Sequence, residues 1–354
     1  MRRFLSAILA VAGAILTPAT PAFAHAGDTT SVSDYRVTVT GLSNPMDGVT
    51  VRVVEGGARL ELRNDSGRAV EILGYSGEPY LEVRPDGTYE NTASPATYLN
   101  ETLTGETPVP PAADPTTAPT WRKVSGDTEV RWHDQRTRWT EATLPAEVTA
   151  APDRPHRLRE WSVPLRDQVR TFEIQGTLGY EPPPVAWAWW TGAALLGLAV
   201  AFIAHRWPGS AGPLALFGGL TTLAYVVTSA LDGAGWAGVP ILAGLLACAA
   251  AWRHPPFYLT LAGFVLAAFA GFGGADVFFA AVVPTAGPGW FPRAAVAVAV
   301  GVGAGLAVTG VLRLRAALPE PVPAPRAPDR GPEAPLPITP DACSRDPGPD
   351  HCSR

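Results

Sequence analysis

Histidine 25 has a chemistry open to it that an interior histidine lacks, provided the chain is cut just before it. Its α-amino group and its imidazole can then chelate one metal ion together, and imidazole nitrogen suits copper. The cut is expected, because Arg2 and Arg3, an apolar run over residues 4–16 and the small-residue triplet Ala22-Phe23-Ala24 read as a secretory signal occupying residues 1–24. Pro18, Pro21 and the shortness of the run argue against an uncleaved anchor. Such a site needs a further imidazole or carboxylate, and the polar half of the chain offers His133 and His156. In Val130-Arg131-Trp132-His133-Asp134, strand alternation puts Val130 and Trp132 on one face and Arg131 and His133 on the other. With Trp132 turned inward, His133 points outward. The expected copper ligands are therefore His25 and His133, with Asp134 as an axial or supporting partner. The plain alternative is that His25 is simply the residue after the cut and His133 an exposed strand histidine. His156 lies between Arg154 and Arg157, whose charges disfavour a bound cation.

Enzyme chemistry finds little footing. Gly74-Tyr75-Ser76-Gly77-Glu78 resembles a nucleophile elbow but lacks the G-x-S-x-G spacing, which leaves Ser76 a turn residue. No phosphate-binding loop, dinucleotide fingerprint or HExxH motif occurs. Glu61, Glu71 and Glu82 alternate with apolar residues and read as a solvated strand face. Cys343, His351 and Cys352 do not have zinc spacing. A non-enzymatic protein is expected.

The elements that must carry these residues follow from composition. Only 17% of the 354 residues are charged and 47% are hydrophobic, where soluble proteins average about 25% charged. A net charge of −5 gives no basic field for nucleic acid. Three cysteines, none in the polar half, exclude a disulfide scaffold. Five apolar segments of near-spanning length are expected at about 185–204, 213–231, 236–252, 257–275 and 294–312. If the first half is exported, Arg206, Arg253, Arg313 and Arg315 fall inside and Asp232, Asp276 and Arg293 outside, as the positive-inside rule asks. Trp187, Trp189, Trp190, Trp207, Trp236, Trp252 and Trp290 sit near helix ends and read as interfacial anchors. Residues 277–292, with Pro284, Gly287, Pro288 and Pro292, read as an outer or re-entrant loop rather than a sixth span. Gly263, Ala267, Gly271 and Ala275, and likewise Gly301 and Gly305, form small-residue ridges for close helix packing, within one chain or between subunits. No charged side chain falls at mid-membrane, which argues against a pump or proton relay.

The stretch 25–184 has the period of half-buried strands, with Leu60 and Leu62, Val70 and Ile72, and Leu81 and Val83 alternating with charged neighbours. Gly56-Gly57, Asn64-Asp65-Ser66-Gly67 and Pro85-Asp86-Gly87 supply turns, and 107–119 a long Pro-rich loop. The expected domains are thus a signal (1–24), an extracytoplasmic all-β sandwich of Ig-like form (25–184), a membrane bundle of about five helices (185–315) and a disordered Pro-rich cytoplasmic tail (316–354).

A mature start at His25-Ala26, a β-rich exported domain and a membrane bundle together resemble the CopC-type copper-resistance domains and their CopC–CopD membrane fusions. That resemblance implies copper held by His25. The segments Ser94-Pro95-Ala96-Thr97-Tyr98-Leu99-Asn100 and Trp132-His133-Asp134-Gln135-Arg136, with one lysine (Lys123) against 26 arginines, look similar to an uncharacterised family of exported multi-span proteins from high-GC actinobacteria. The expectation is a multi-pass plasma-membrane protein with a ligand-binding outer domain, with copper as the sharpest form. The alternative is a non-metal interaction or assembly protein. Its partners would be the lipid bilayer and an envelope protein or a second copy, with no nucleic acid.

Overall fold

The computed structural model describes residues 32–235, 237–252 and 255–317. The signal-like segment with His25, the Pro-rich tail with Cys343, His351 and Cys352, and the residues Trp236, Arg253 and His254 lie outside the described residues.

Ten strands build the first half: β1 (Tyr35–Leu42), β2 (Val49–Val54), β3 (Arg59–Asn64), β4 (Val70–Leu73), β5 (Pro79–Arg84), β6 (Gly87–Asn91), β7 (Trp121–Ser125), β8 (Glu129–Trp132), β9 (His156–Asp167) and β10 (Arg170–Tyr180). They form a seven-stranded sheet in the order β1-β10-β9-β4-β5-β6-β7 and a three-stranded sheet β2-β3-β8, with every pairing antiparallel. Alternation turns Leu60 and Leu62 of β3 toward Val70 and Ile72 of β4, Val163 and Leu165 of β9, and Ile174 of β10, so the two sheets share one core. Each such side chain contributes about 1.5–3 kcal/mol by leaving water. Trp161 fits into this core because its pairing partner is Gly176, where a Cβ would lie 2.0 Å from the indole ring. The turn signals fall between strands as expected, Gly56-Gly57 joining β2 to β3 and Asp86-Gly87 joining β5 to β6. Two short helices, α1 (Pro95–Leu99) and α2 (Ala146–Ala150), lie in the longer connections, α1 being capped by the Ser94 hydroxyl, which accepts from the Ala96 N–H at 3.2 Å.

One expected surface is not a surface. Glu61 is only 5% exposed, because the register sets it opposite Arg52 on β2 and Arg131 on β8, and both guanidiniums close over its carboxylate. Burial opposes its ionisation, but these two arginines outweigh that and hold its pKa below the ordinary value. Glu71 and Glu82 are half-buried and paired with Arg166 and Arg84.

The second half is helical: α3 (Ala186–Arg206), α4 (Ala211–Leu231), α5 (Gly238–Trp252), α6 (Pro256–Val265) and α7 (Phe291–Ala317). After Val265, α6 runs on through a π-helical turn, Leu266–Gly271, and a 3-10 turn, Phe272–Phe278. Four segments are long and apolar enough to cross a membrane, and α5, with 15 residues, is a shorter apolar helix. The stretch between Phe278 and Phe291 is a loop, as its Pro and Gly content predicts.

The buried centre of the bundle is α7. The small-residue ridges pack within the chain. A Cβ on Gly263 would meet the Ala307 nitrogen at 2.5 Å, and one on Gly305 the Gly197 carbonyl at 2.7 Å, so α6 and α3 both approach α7 at backbone contact. Trp187, Trp207, Trp252 and Trp290 are exposed at helix ends as anchors should be. Trp189 and Trp190 instead pack on Phe278 and Phe272, which places them inside the aromatic layer beneath the loop.

Candidate functional site

The β2–β3 turn is where the two halves of the chain grip one another. Glu55 and Gly56 both adopt positive φ, 57° and 65°, a conformation that suits glycine and strains glutamate. The strained turn aims two successive N–H groups at the end of α4. The Glu55 N–H donates to the Asp232 carbonyl at 2.8 Å and the Gly56 N–H donates to the Asp232 carboxylate at 2.9 Å. A Cβ on Gly56 would press on the Pro284 ring at 3.0 Å, so the turn is seated against the loop before α7 as well. Burial pushes the Asp232 carboxyl above its ordinary range, while the Gly56 N–H and Arg52 pull it back.

A second seam runs alongside. Ser33 and Val282 exchange backbone hydrogen bonds at 3.1 and 2.7 Å, and the Ala281 N–H donates to the Asp34 carboxylate at 2.9 Å. Arg293, at the head of α7, is buried and donates to the carbonyls of Val277, Ala280, Ala281 and Gly289, which holds that loop in shape.

From the clasp a polar chain leads to the residues singled out as metal ligands. The Arg59 guanidinium donates to Glu55 at 3.2 Å and, through Nε, to His133 Nε2 at 3.1 Å, while His133 Nδ1 donates to the Ala58 carbonyl at 2.8 Å. This pattern requires the proton on Nδ1 and leaves Nε2 as an acceptor. His133 is therefore not the outward residue that alternation suggests; it is 3% exposed. The reason is that β8 ends at Trp132, so the two-residue period stops one residue too soon to place His133. Asp134 is 1% exposed and caps the next turn, accepting from the Arg136 N–H at 3.0 Å. Its carboxylate also takes the Arg136 guanidinium at 2.7 Å and the Trp132 indole N–H at 3.1 Å. His25 lies outside the described residues, so its separation from His133 is not defined. His156 is engaged with the Ala151 carbonyl at 2.7 Å. Among the described residues no group of three or more His, Cys, Asp or Glu converges as a metal cluster.

The two segments noted for their sequence likeness meet in one place. Tyr75 donates its hydroxyl hydrogen to Asn100 and accepts from the Gln135 N–H at 3.0 Å, and Arg136 stacks 4.9 Å from the Tyr75 ring. Beside them Glu78 accepts from the Ser94 hydroxyl at 2.7 Å and the Ser76 N–H at 2.9 Å. Tyr75 is 37% exposed, and burial of the rest of it, aided by the Asp134 charge, pushes its pKa up to about 12. These bonds tie α1, the Gly74–Glu78 turn and the segment after β8 into a fixed rim, which is a structural use of polar residues.

No protein-family model, curated protein or solved structure matches the chain. What the fold defines is a multi-pass membrane protein with a β-sheet domain clasped to one end of its helical bundle.

Proposed function

We propose that this is a non-enzymatic cell-envelope protein whose β-domain faces the extracytoplasmic side and serves as a fixed platform for a non-metal ligand or envelope partner. The observation that carries this reading is the clasp of Asp232 on Glu55 and Gly56, which couples the β-domain to the bundle through backbone hydrogen bonds. A domain held this way presents its surface at a set distance and angle from the bilayer, and whatever it binds is felt at the end of α4. The orientation draws support from Arg206, Arg313 and Arg315 at the bundle end away from the clasp.

Copper is the competing proposal. Its support is the chelating pair that a free His25 terminus would offer. In that reading His133 must exchange Arg59, and Asp134 must exchange Arg136, for the metal. Full-length protein with an authentic His25 terminus, titrated with Cu(II) and followed by electron paramagnetic resonance, separates the two. The comparison proteins carry one extra N-terminal residue or His133→Ala. The platform reading expects weak and equal binding by all three. Tight binding confined to the authentic terminus overturns it, and loss of that binding in His133→Ala would assign His133 as a ligand.

A further inference from the structure

Beneath the clasp, at the bundle end that carries the β-domain, α4, α5, α7 and the distorted end of α6 line a half-open cavity of about 310 Å³. Its polar lining residues are Thr222, Tyr225, Ser229 and Asp276. The Thr222 hydroxyl gives its hydrogen to the Gly218 carbonyl at 3.0 Å and the Ser229 hydroxyl gives its own to the Pro284 carbonyl at 3.2 Å, so both present oxygen lone pairs. Asp276 adds a carboxylate that accepts the Val277 N–H at 3.0 Å and remains accessible. Among the described residues no Lys or Arg lines the cavity. The remaining wall is apolar, with Phe269, Val226 and Val296.

The backbone has been bent to make this space. Beyond Val265 the hydrogen-bond pattern widens to a π turn and then tightens to a 3-10 turn that contains Asp276. π-Helical turns inside α-helices recur at functional sites. Gly271 and Gly274 press that segment on α7, where added Cβ atoms would lie 2.6 Å and 3.3 Å from Val300 and Val296, while the cavity opens along its flank. Asp276 is exposed at the end of its segment and has no basic partner among the described lining residues, so its carboxylate is open to a cationic ligand.

We propose that this cavity binds the ammonium group of an amphipathic amine, with the apolar body against Phe269 and Val296. A water occupies about 30 Å³ of liquid, so the space is roughly tenfold too large for a bare cation, and it falls at the lower end of small-ligand pockets. The charge of the Asp276 carboxylate, with no Lys or Arg among the described lining residues, disfavours an anion and favours an ammonium donor over a neutral alcohol. The same chemistry is offered by a free long-chain amine and by the ethanolamine headgroup of a phospholipid.

The test uses full-length protein in nanodiscs of phosphatidylglycerol or of phosphatidylethanolamine, titrated with decylamine and, as the neutral control, decanol. In phosphatidylglycerol, decylamine should bind the native protein at least tenfold more tightly than it binds Asp276→Asn, and decanol should not discriminate between them. A weaker decylamine response in phosphatidylethanolamine would identify the headgroup as an occupant; an equal response would identify the free amine. Because Asp276→Asn can disturb the fold, Val296→Phe, which fills the cavity and leaves the carboxylate in place, should lose the same binding. Equal decylamine affinity in native protein, Asp276→Asn and Val296→Phe overturns the proposal.

Discussion

The carboxylate of Asp232 accepts the backbone N–H of Gly56 at 2.9 Å, across 176 residues of chain and from one half of the molecule to the other. Replacing Asp232 by alanine removes that acceptor and should weaken the clasp by about 1 kcal/mol, the net worth of one such bond. Hydrogen exchange at Glu55 and Gly56 should quicken several-fold while the strands around Leu62 and Ile174 keep their protection. Asp232→Asn, which retains an acceptor oxygen and mimics the protonated carboxyl, should behave like the native protein at low pH.

The same residue gives the clasp a pH dependence of definite sign. Burial raises the Asp232 carboxyl from its ordinary 3.8, so the folded protein holds that proton more tightly than an unfolded chain. The stabilisation is fully present below 3.8 and is lost as the pH rises through the raised value. Thermal melts between pH 3 and 7 should show the native protein losing ground to Asp232→Asn over that interval. A constant difference would remove Asp232 as the titrating group.

Tyr75 titrates at the other end of the scale. With its pKa pushed up to about 12 by burial and by Asp134, its contribution to stability is complete below about 10, the usual tyrosine value, and is lost between there and about 12. Difference absorbance of phenolate against a Tyr75→Phe reference should place its ionisation well above that of a free tyrosine.

His133→Ala should destabilise the β-domain by about 1–3 kcal/mol, since it strands the Ala58 carbonyl and one Arg59 donor in a buried place. A melt measured on this variant reads a structural loss, separate from any change in copper binding.

Gly263→Val tests the bundle. Its Cβ would sit 2.5 Å from the Ala307 backbone nitrogen, with no flexible side chain to give way. Overpacking of this kind costs about 1–3 kcal/mol or more, and the variant should melt earlier in detergent than Gly192→Ala, where a Cβ meets open space.

Much of this architecture is legible in the chain itself. Five apolar runs foretell five helices because spanning lengths are set by hydrocarbon thickness, and the alternation at Leu60 and Leu62 foretells an inward strand face because one side must be dry. What fails is local pattern carried past the end of an element or read without its neighbours. His133 lies one residue beyond β8, and Glu61 is buried by arginines that are nine and seventy residues away. Asp232 reads as an unremarkable helix end, and Gly56-Gly57 as an ordinary turn; only tertiary pairing makes them partners. The one hint in the sequence is a Glu-Gly-Gly run offering adjacent N–H groups. The cavity is equally hidden, because a shift from α- to π-helical bonding leaves no mark in the apolar periodicity of residues 256–278.

The central claim is that the β-domain and the bundle move as one body. Val169, 97% exposed at the tip of the β9–β10 hairpin, and Leu242, 67% exposed on α5, can each carry a spin label after replacement by cysteine in a background lacking Cys248, Cys343 and Cys352. Pulsed dipolar spectroscopy of this pair in nanodiscs should give a single narrow distance distribution that broadens in Asp232→Ala. A broad distribution in the otherwise native protein would contradict the account.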